Sequence, residues 1–156
     1  MKKLIYAAAF TLILASNAPA TIAGGAMQKA NVPHLLGSAA TPNRAGFQGA
    51  THRFDIQVEG RALSEIAIAL PDALSIRGGI EVKNQSNQKI ETQVSLNNQK
   101  ATVVFAQPVA PDTTISIYMR GIQTRGYRYN WAYAISGKMV GINAEIPLGR
   151  VGIQTY

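Results

Sequence analysis

The densest chemistry in the sequence lies at Tyr127, Tyr129, Trp131 and Tyr133, with Arg125 and Arg128 interleaved. Three of the six tyrosines and the only tryptophan fall in these seven residues. Each such side chain offers a broad apolar plane with a polar tip, suited to stacking on a sugar ring. Arg125 and Arg128, with Arg120, Lys138 and Arg150 nearby, add the means to hold an anionic polymer, and Glu145 is the only acid after residue 120. On a strand the four aromatics project from one face, with Arg128, Asn130 and Ala132 on the other. A competing reading places some of these rings, Trp131 above all, in the core, since tryptophan and tyrosine are largely buried in folded proteins. A mixed outcome has Trp131 inside and Tyr127 at the rim.

Other chemistry is sparse. His34 and His52 are the only histidines. With Met27, Met119 or Met139 they offer a copper donor set, but no two of these ligands stand at close spacing. Otherwise they are two solvent-exposed imidazoles. The eight carboxylates nominate no converging pair of the kind a glycosidase needs. Asp72 and Asp112 read as turn formers, and Asp55, Glu59, Glu81 and Glu91 as solvated partners of basic residues. No serine sits in a nucleophile elbow. Gly24-Gly25 and Gly78-Gly79 lack the lysine and serine of a phosphate loop. Asn84-Gln85-Ser86 is a glycosylation sequon, relevant only in a eukaryotic secretory route. The expectation is no catalytic residue, no metal and no cofactor.

The elements that must position these groups are strands. Phe54, Ile56 and Val58 alternate with Arg53, Asp55, Gln57 and Glu59, a period of two that gives one apolar and one polar face. Ile66, Ile68 and Leu70 repeat it before a Pro71-Asp72 turn. Ile80 and Val82 follow, then one strand over 90–96 with Ile90, Val94 and Leu96, closed by an Asn97-Asn98 hairpin. Val103 and Phe105 point inward on the return. Pro108 and Pro111 break the ladder, because proline lacks the amide proton a central strand donates. Pro111-Asp112 suits a type I turn, and Ile115, Ile117 and Met119 bury the next strand. Half-polar alternation without a long amphipathic helix predicts an all-β, immunoglobulin-like antiparallel β-sandwich. A small outer-membrane barrel is the rival, but its strands should be longer and its aromatics split between two girdles.

Upstream of the strands, Lys2 and Lys3, the apolar stretch Leu4–Ala15 and the small residues through Ala23 have the three parts of a cleavable signal peptide, cut after Ala20 or Ala23. Residues 1–23 are therefore expected to be a signal peptide, 24–50 a glycine- and alanine-rich loop or extended arm, and 51–156 the sandwich. Val32, Leu35, Leu36 and Phe47 offer to pin parts of the arm to the domain. The chain has 156 residues, no cysteine and 47% hydrophobic residues, which excludes a disulfide scaffold and a disordered chain. Removing Lys2 and Lys3 from the 15 basic residues leaves 13 against 8 acidic ones, about +5. In an exported protein such a surplus points either to an anionic neighbour rather than nucleic acid, or simply to solubility. No apolar run is long enough for a transmembrane helix in the mature form.

From about residue 31 onward the chain resembles a cyanobacterial family of exported proteins catalogued as domain of unknown function 2808. The resemblance is carried by Ala50-Thr51-His52-Arg53-Phe54, by Ala62-Leu63-Ser64-Glu65-Ile66 and, most specifically, by Gln107-Pro108-Val109-Ala110-Pro111-Asp112-Thr113-Thr114. Family members typically have glycine before the two threonines; Asp112 here points to a type I rather than a type II turn. The resemblance implies an envelope or thylakoid-lumen setting and brings no activity or site residues. The sequence thus predicts a non-enzymatic exported sandwich that contacts a cell-envelope component: anionic polysaccharide, a membrane surface or a protein. The location is the periplasm, the cell surface or the thylakoid lumen. The alternatives are an accessory subunit docking through a strand edge or the N-terminal arm, and a copper-binding protein.

Overall fold

The computed structural model describes residues 31–97 and 99–156. The expected signal peptide and the first part of the arm lie outside the described residues. Among the described residues eleven strands follow in order: β1 (His34–Thr41), β2 (Ala50–Val58), β3 (Leu63–Ala69), β4 (Leu74–Ile76), β5 (Ile80–Asn84), β6 (Lys89–Ile90), β7 (Thr92–Leu96), β8 (Lys100–Val109), β9 (Thr113–Thr124), β10 (Asn130–Met139) and β11 (Ile146–Gln154). One sheet runs β1-β2-β9-β5-β6, with β4 also on β9; the other runs β11-β10-β3-β8-β7. Every pairing is antiparallel. The two sheets face one another over a filled apolar interior, so the predicted immunoglobulin-like sandwich is the fold.

Alternation explains the interior. Phe54, Ile56 and Val58 from β2 and Ile115, Ile117 and Met119 from β9 are fully buried, against Ile66, Ile68, Val103 and Tyr133 of the opposite sheet. Along β9 the buried set jumps from odd to even numbers at Ile122. The cause is a bulge: His52 faces Met119 but Ala50 faces Ile122, and Gly121 takes φ 65° there. A Cβ on Gly121 would stand 2.6 Å from the Gly78 nitrogen, so glycine is required at this crossing.

Four expectations need correction. The 90–96 strand is two strands: Ile90 pairs with Val82 in one sheet and Val94 with Val103 in the other. This change of sheet leaves Val94 and Leu96 at an outer edge, 36% and 43% exposed. Pro108 does not end β8. Leu63 faces Val109 while Glu65 faces Val104, so the proline occupies an irregularity where no ladder hydrogen bond is asked of it. Asp112 has φ 62°, the left-handed value a type II turn requires at its third position, and its N–H donates to the Val58 carbonyl at 2.8 Å. The turn therefore has the left-handed third position that a type I turn would lack, against the type I turn expected from Asp112. Finally, the stretch read as loop or arm contains β1, which pairs with β2 along its length despite a slip between Leu35 and Ser38. Its alanines, glycine and serine hid the alternation. Of its four pinning candidates Leu35 packs on the core, while Val32, Leu36 and Phe47 stay exposed.

Candidate functional site

The Tyr127–Tyr133 cluster is split by the start of β10. Trp131 and Tyr133 lie on the inward face of the strand, 2% and 0% exposed. They are not part of any surface, a correction to the four-aromatic platform. Their alternation with exposed Asn130, Ala132 and Ala134 is the ordinary pattern of a half-buried strand. Tyr127 and Tyr129 precede the strand, in the loop joining β9 to β10, and are 81% and 67% exposed. Arg125 and Arg128 are exposed in the same loop, and the Arg128 guanidinium lies 5.9 Å from the Trp131 ring centre.

The fold brings further residues to this loop that are distant in sequence. Because β2 and β9 are antiparallel, with Ala50 opposite Ile122, the 42–49 connection and the 125–129 loop emerge at the same end. Gln48 ties them: its amide donates to the Thr124 carbonyl and its carbonyl accepts from the Thr124 N–H, each at 3.0 Å. The Tyr127 ring lies against Gly46, where a Cβ would meet it at 2.5 Å. The last residues join the cluster: Ala45 N–H donates to the Tyr156 carbonyl at 2.7 Å, and Thr155 N–H to the Tyr129 carbonyl at 3.0 Å. The outcome is one end of the sandwich bearing exposed Phe47, Tyr127, Tyr129 and Tyr156 beside Arg44, Arg125 and Arg128. Segments 42–49, 125–129 and 155–156 carry no acidic side chain, though the adjoining Pro71–Leu74 turn, bound through Arg125 N–H to the Ala73 carbonyl, adds exposed Asp72. Elsewhere Arg61, Arg77, Lys89 and Arg150 are also exposed without an acidic partner among the described residues, while Arg53 is neutralised by Asp55, Arg120 by Glu81, Lys138 by Glu65 and Lys100 by Glu145. Among the described residues, Arg44, Arg125 and Arg128 have no such partner. Phe47, Arg44 and Tyr156 were missed because only the β2–β9 register and the terminal hydrogen bonds bring them here.

The histidines are not brought together. His34 lies opposite Gln57, five residues along β2 from His52, or about 17 Å at the usual strand rise. His34 is near Glu59, with 3.7 Å between Nδ1 and Oε2. His52 is 2% exposed, which corrects the reading of both imidazoles as solvated. Its Nδ1 lies 2.6 Å from the Tyr133 hydroxyl, joining the two sheets through the core. With the ring as its Nε2–H tautomer, the hydroxyl donates to Nδ1. Burial lowers the His52 pKa to about 4 and pushes that of Tyr133 well above the usual phenol range. The signal was in the sequence, since His52 is in phase with Phe54 and Ile56. Met119 and Met139 are buried, and Met27 lies outside the described residues. No group of three or more histidine or acidic side chains is arranged to hold a metal ion among the described residues.

One further cluster resembles a reaction centre. Ser136 donates to Glu145 at 3.1 Å, and Lys100 donates to the same carboxylate at 2.9 Å. The bond from Lys100, then that from Ser136, holds Glu145 below the usual carboxylate range. A carboxylate so stabilised is a poor proton acceptor, which leaves Ser136 without an activating base.

The chain belongs to the family described as "Protein of unknown function (DUF2808)", which it matches over residues 26–128. Among solved structures it is similar to the N-terminal domain of the Streptococcus gordonii adhesin Sgo0707, with TM-score 0.54 and 12% identity. That likeness covers 80% of this chain and 32% of the adhesin chain, so the match spans about a third of that protein's length. It is similar also to BslA, a bacterial hydrophobin, with TM-score 0.54 and 11% identity over 80% of this chain and 94% of the other. At such identities the likeness establishes the fold alone. No curated protein matches in sequence.

Proposed function

We propose that this is a non-enzymatic, exported protein that binds an anionic component of the cell envelope through the aromatic and basic end of the sandwich. The observation that carries the proposal is the gathering of four exposed aromatics and three unneutralised arginines onto loops fastened to one another. Arginine attracts and orients anionic groups, while tyrosine supplies contact area at little entropic cost. Fastened loops lose little freedom on binding. Export rests on the leader expected at residues 1–23, and a cyanobacterial envelope or thylakoid lumen on the family resemblance. An adhesin domain of similar shape lends support by analogy of fold only. The test is retention by anionic polysaccharide and by phosphatidylglycerol vesicles at low and high salt. Binding should weaken in Arg128→Gln and Tyr127→Ala and fall steeply with salt. Retention indifferent to salt and to both substitutions would refute the proposal.

The accessory-subunit reading keeps one specific support. β7 is an outer strand whose residues Thr92–Leu96 carry no charge, and Val94 and Leu96 are partly exposed beside it. Such an edge is open to pairing with another strand. Val94→Pro, at a position whose N–H faces outward because Glu91 and Asn97 bond inward to β8, would block that pairing; if a partner is lost while anion binding persists, docking at this edge is the function.

A further inference from the structure

Next to the basic end, β1 and β11 approach each other at the open side of the sandwich, where the Ser38 hydroxyl donates to the Gly152 carbonyl at 2.8 Å. Between them lies a cleft of about 380 Å³ lined by Ser38, Asn43, Asn130, Gly152, Gln154 and Tyr156, with Ala39 and Ala40. Its character differs from the rest of the surface. No charged side chain lines it, and three side-chain amides do. Among the described residues the amides of Asn43 and Asn130 make no hydrogen bond, and that of Gln154 only accepts one from the Tyr156 hydroxyl, at 3.3 Å. Asn130 and Gln154 are cross-strand neighbours on one face of β10 and β11, which fixes their spacing. The floor is Gly152, whose missing side chain leaves the space open: a Cβ there would come no nearer than 3.5 Å to Asn130 Oδ1.

Side-chain amides present a donor and an acceptor in one plane, the pattern that adjacent sugar hydroxyls complement. An apolar ligand would leave these amides unsatisfied, and a small anion would find no cation among them. The volume lies at the lower end of the roughly 300–1,000 Å³ range of small-molecule sites, enough for one or two sugar rings. Tyr156 forms one wall, and Tyr129 directly precedes Asn130 at the rim, so an aromatic plane is available to the next ring. Arg44 and Arg128 are the chain neighbours of Asn43 and Tyr129, respectively, outside the cleft.

We infer that this cleft is a carbohydrate site that seats one residue of an acidic polysaccharide. The amides of Asn43, Asn130 and Gln154 take its hydroxyls, and the arginines of the adjacent loops meet carboxylates further along the polymer. The inference rests on the proposed function and deepens it by making the envelope component a sugar polymer rather than a lipid surface.

Affinity gel electrophoresis of the purified protein in polygalacturonate, alginate, hyaluronate and neutral dextran tests it. Gly152→Val fills the cleft at a strand position with room for a Cβ, and Asn130→Ala removes one amide. Retardation by at least one acidic polysaccharide is expected, reduced about tenfold or more in both variants, with circular dichroism unchanged. Arg128→Gln should weaken the same interaction chiefly at low salt. Two results overturn the cleft while leaving the basic end intact: retardation that Gly152→Val and Asn130→Ala do not alter, or binding to phosphatidylglycerol vesicles with none to any polysaccharide. Failure to bind polysaccharides or vesicles removes both readings. Should Gly152→Val unfold, Asn130→Ala and Gln154→Ala carry the comparison.

Discussion

Mild acid should destabilise this protein through His52. The buried imidazole has a pKa of about 4 in the fold, against an ordinary 6.5. The unfolded chain therefore takes up a proton that the folded one refuses, so stability is full above pH 6.5 and falls as pH drops towards 4. Linkage gives a loss of about 1.4 kcal/mol at pH ~5.5 and about 2 kcal/mol at pH ~5. Two carboxylates are also held low in the fold. In Asp55, hydrogen bonds from Arg53 and Ser116 outweigh a burial that acts the other way; in Glu145 the bonds come from Lys100 and Ser136. Their ordinary values are 3.8 and 4.5, so their losses come mainly below the histidine window. The assay is urea unfolding at stepped pH between about 7.5 and 5, followed by the fluorescence of buried Trp131. His52→Gln, whose amide can still accept from Tyr133, should lose the pH slope, whereas His34→Asn should keep it. An equal slope in the wild type and His52→Gln would show that His52 is not the source of the acid sensitivity.

Other consequences are independent of that titration. Tyr133→Phe removes the hydroxyl and leaves the His52 nitrogen buried without its partner, which should cost about 1–3 kcal/mol in urea unfolding. Asp112→Gly keeps the N–H bond to Val58 and relieves a left-handed backbone, so a gain of up to roughly 1 kcal/mol is expected; a loss would contradict the turn assignment. Gly121→Ala should cost about 2 kcal/mol or more, because its φ is positive and its Cβ would strike Gly78. Trp131→Ala should cost about 3–5 kcal/mol, whereas Tyr129→Ala should change thermal stability by no more than about 0.5 kcal/mol, as their burial dictates.

The strands that face a polar solvent on one side could be read from the chain. β2 and the first part of β9 alternate cleanly, and their inward residues are those buried in the fold; in β3 Ile66 and Ile68 are inward as read, but Ala67 between them is buried as well. β1 and β11 were not read, because glycine, proline, serine and alanine interrupt the alternation in HLLGSAAT and IPLGRVGIQ; these strands are held by their neighbours rather than by their own pattern. The change of sheet after Ile90 was also hidden, since a strand that crosses between sheets keeps a continuous apolar rhythm. The candidate site was half legible. Tyr127, Tyr129, Arg125 and Arg128 stood out by composition, but Trp131 and Tyr133 belong to the same run and fill the interior. Period-two spacing gives the face of a strand and not where the strand begins, and here it begins at Asn130. Arg44, Phe47, Asn43 and Tyr156 join the site through tertiary pairing alone, which no local pattern encodes.

The central claim is that the unneutralised arginines at one end of the sandwich hold an anionic envelope polymer. Its most direct test is the affinity for polygalacturonate of the wild type and of the Arg44→Gln/Arg125→Gln/Arg128→Gln triple variant, measured from about 50 to 300 mM salt. Wild-type affinity should fall steeply with salt, and the triple variant should bind at least about tenfold more weakly at low salt, with the salt dependence largely gone. Equal affinity and equal salt dependence in the two proteins would contradict that claim.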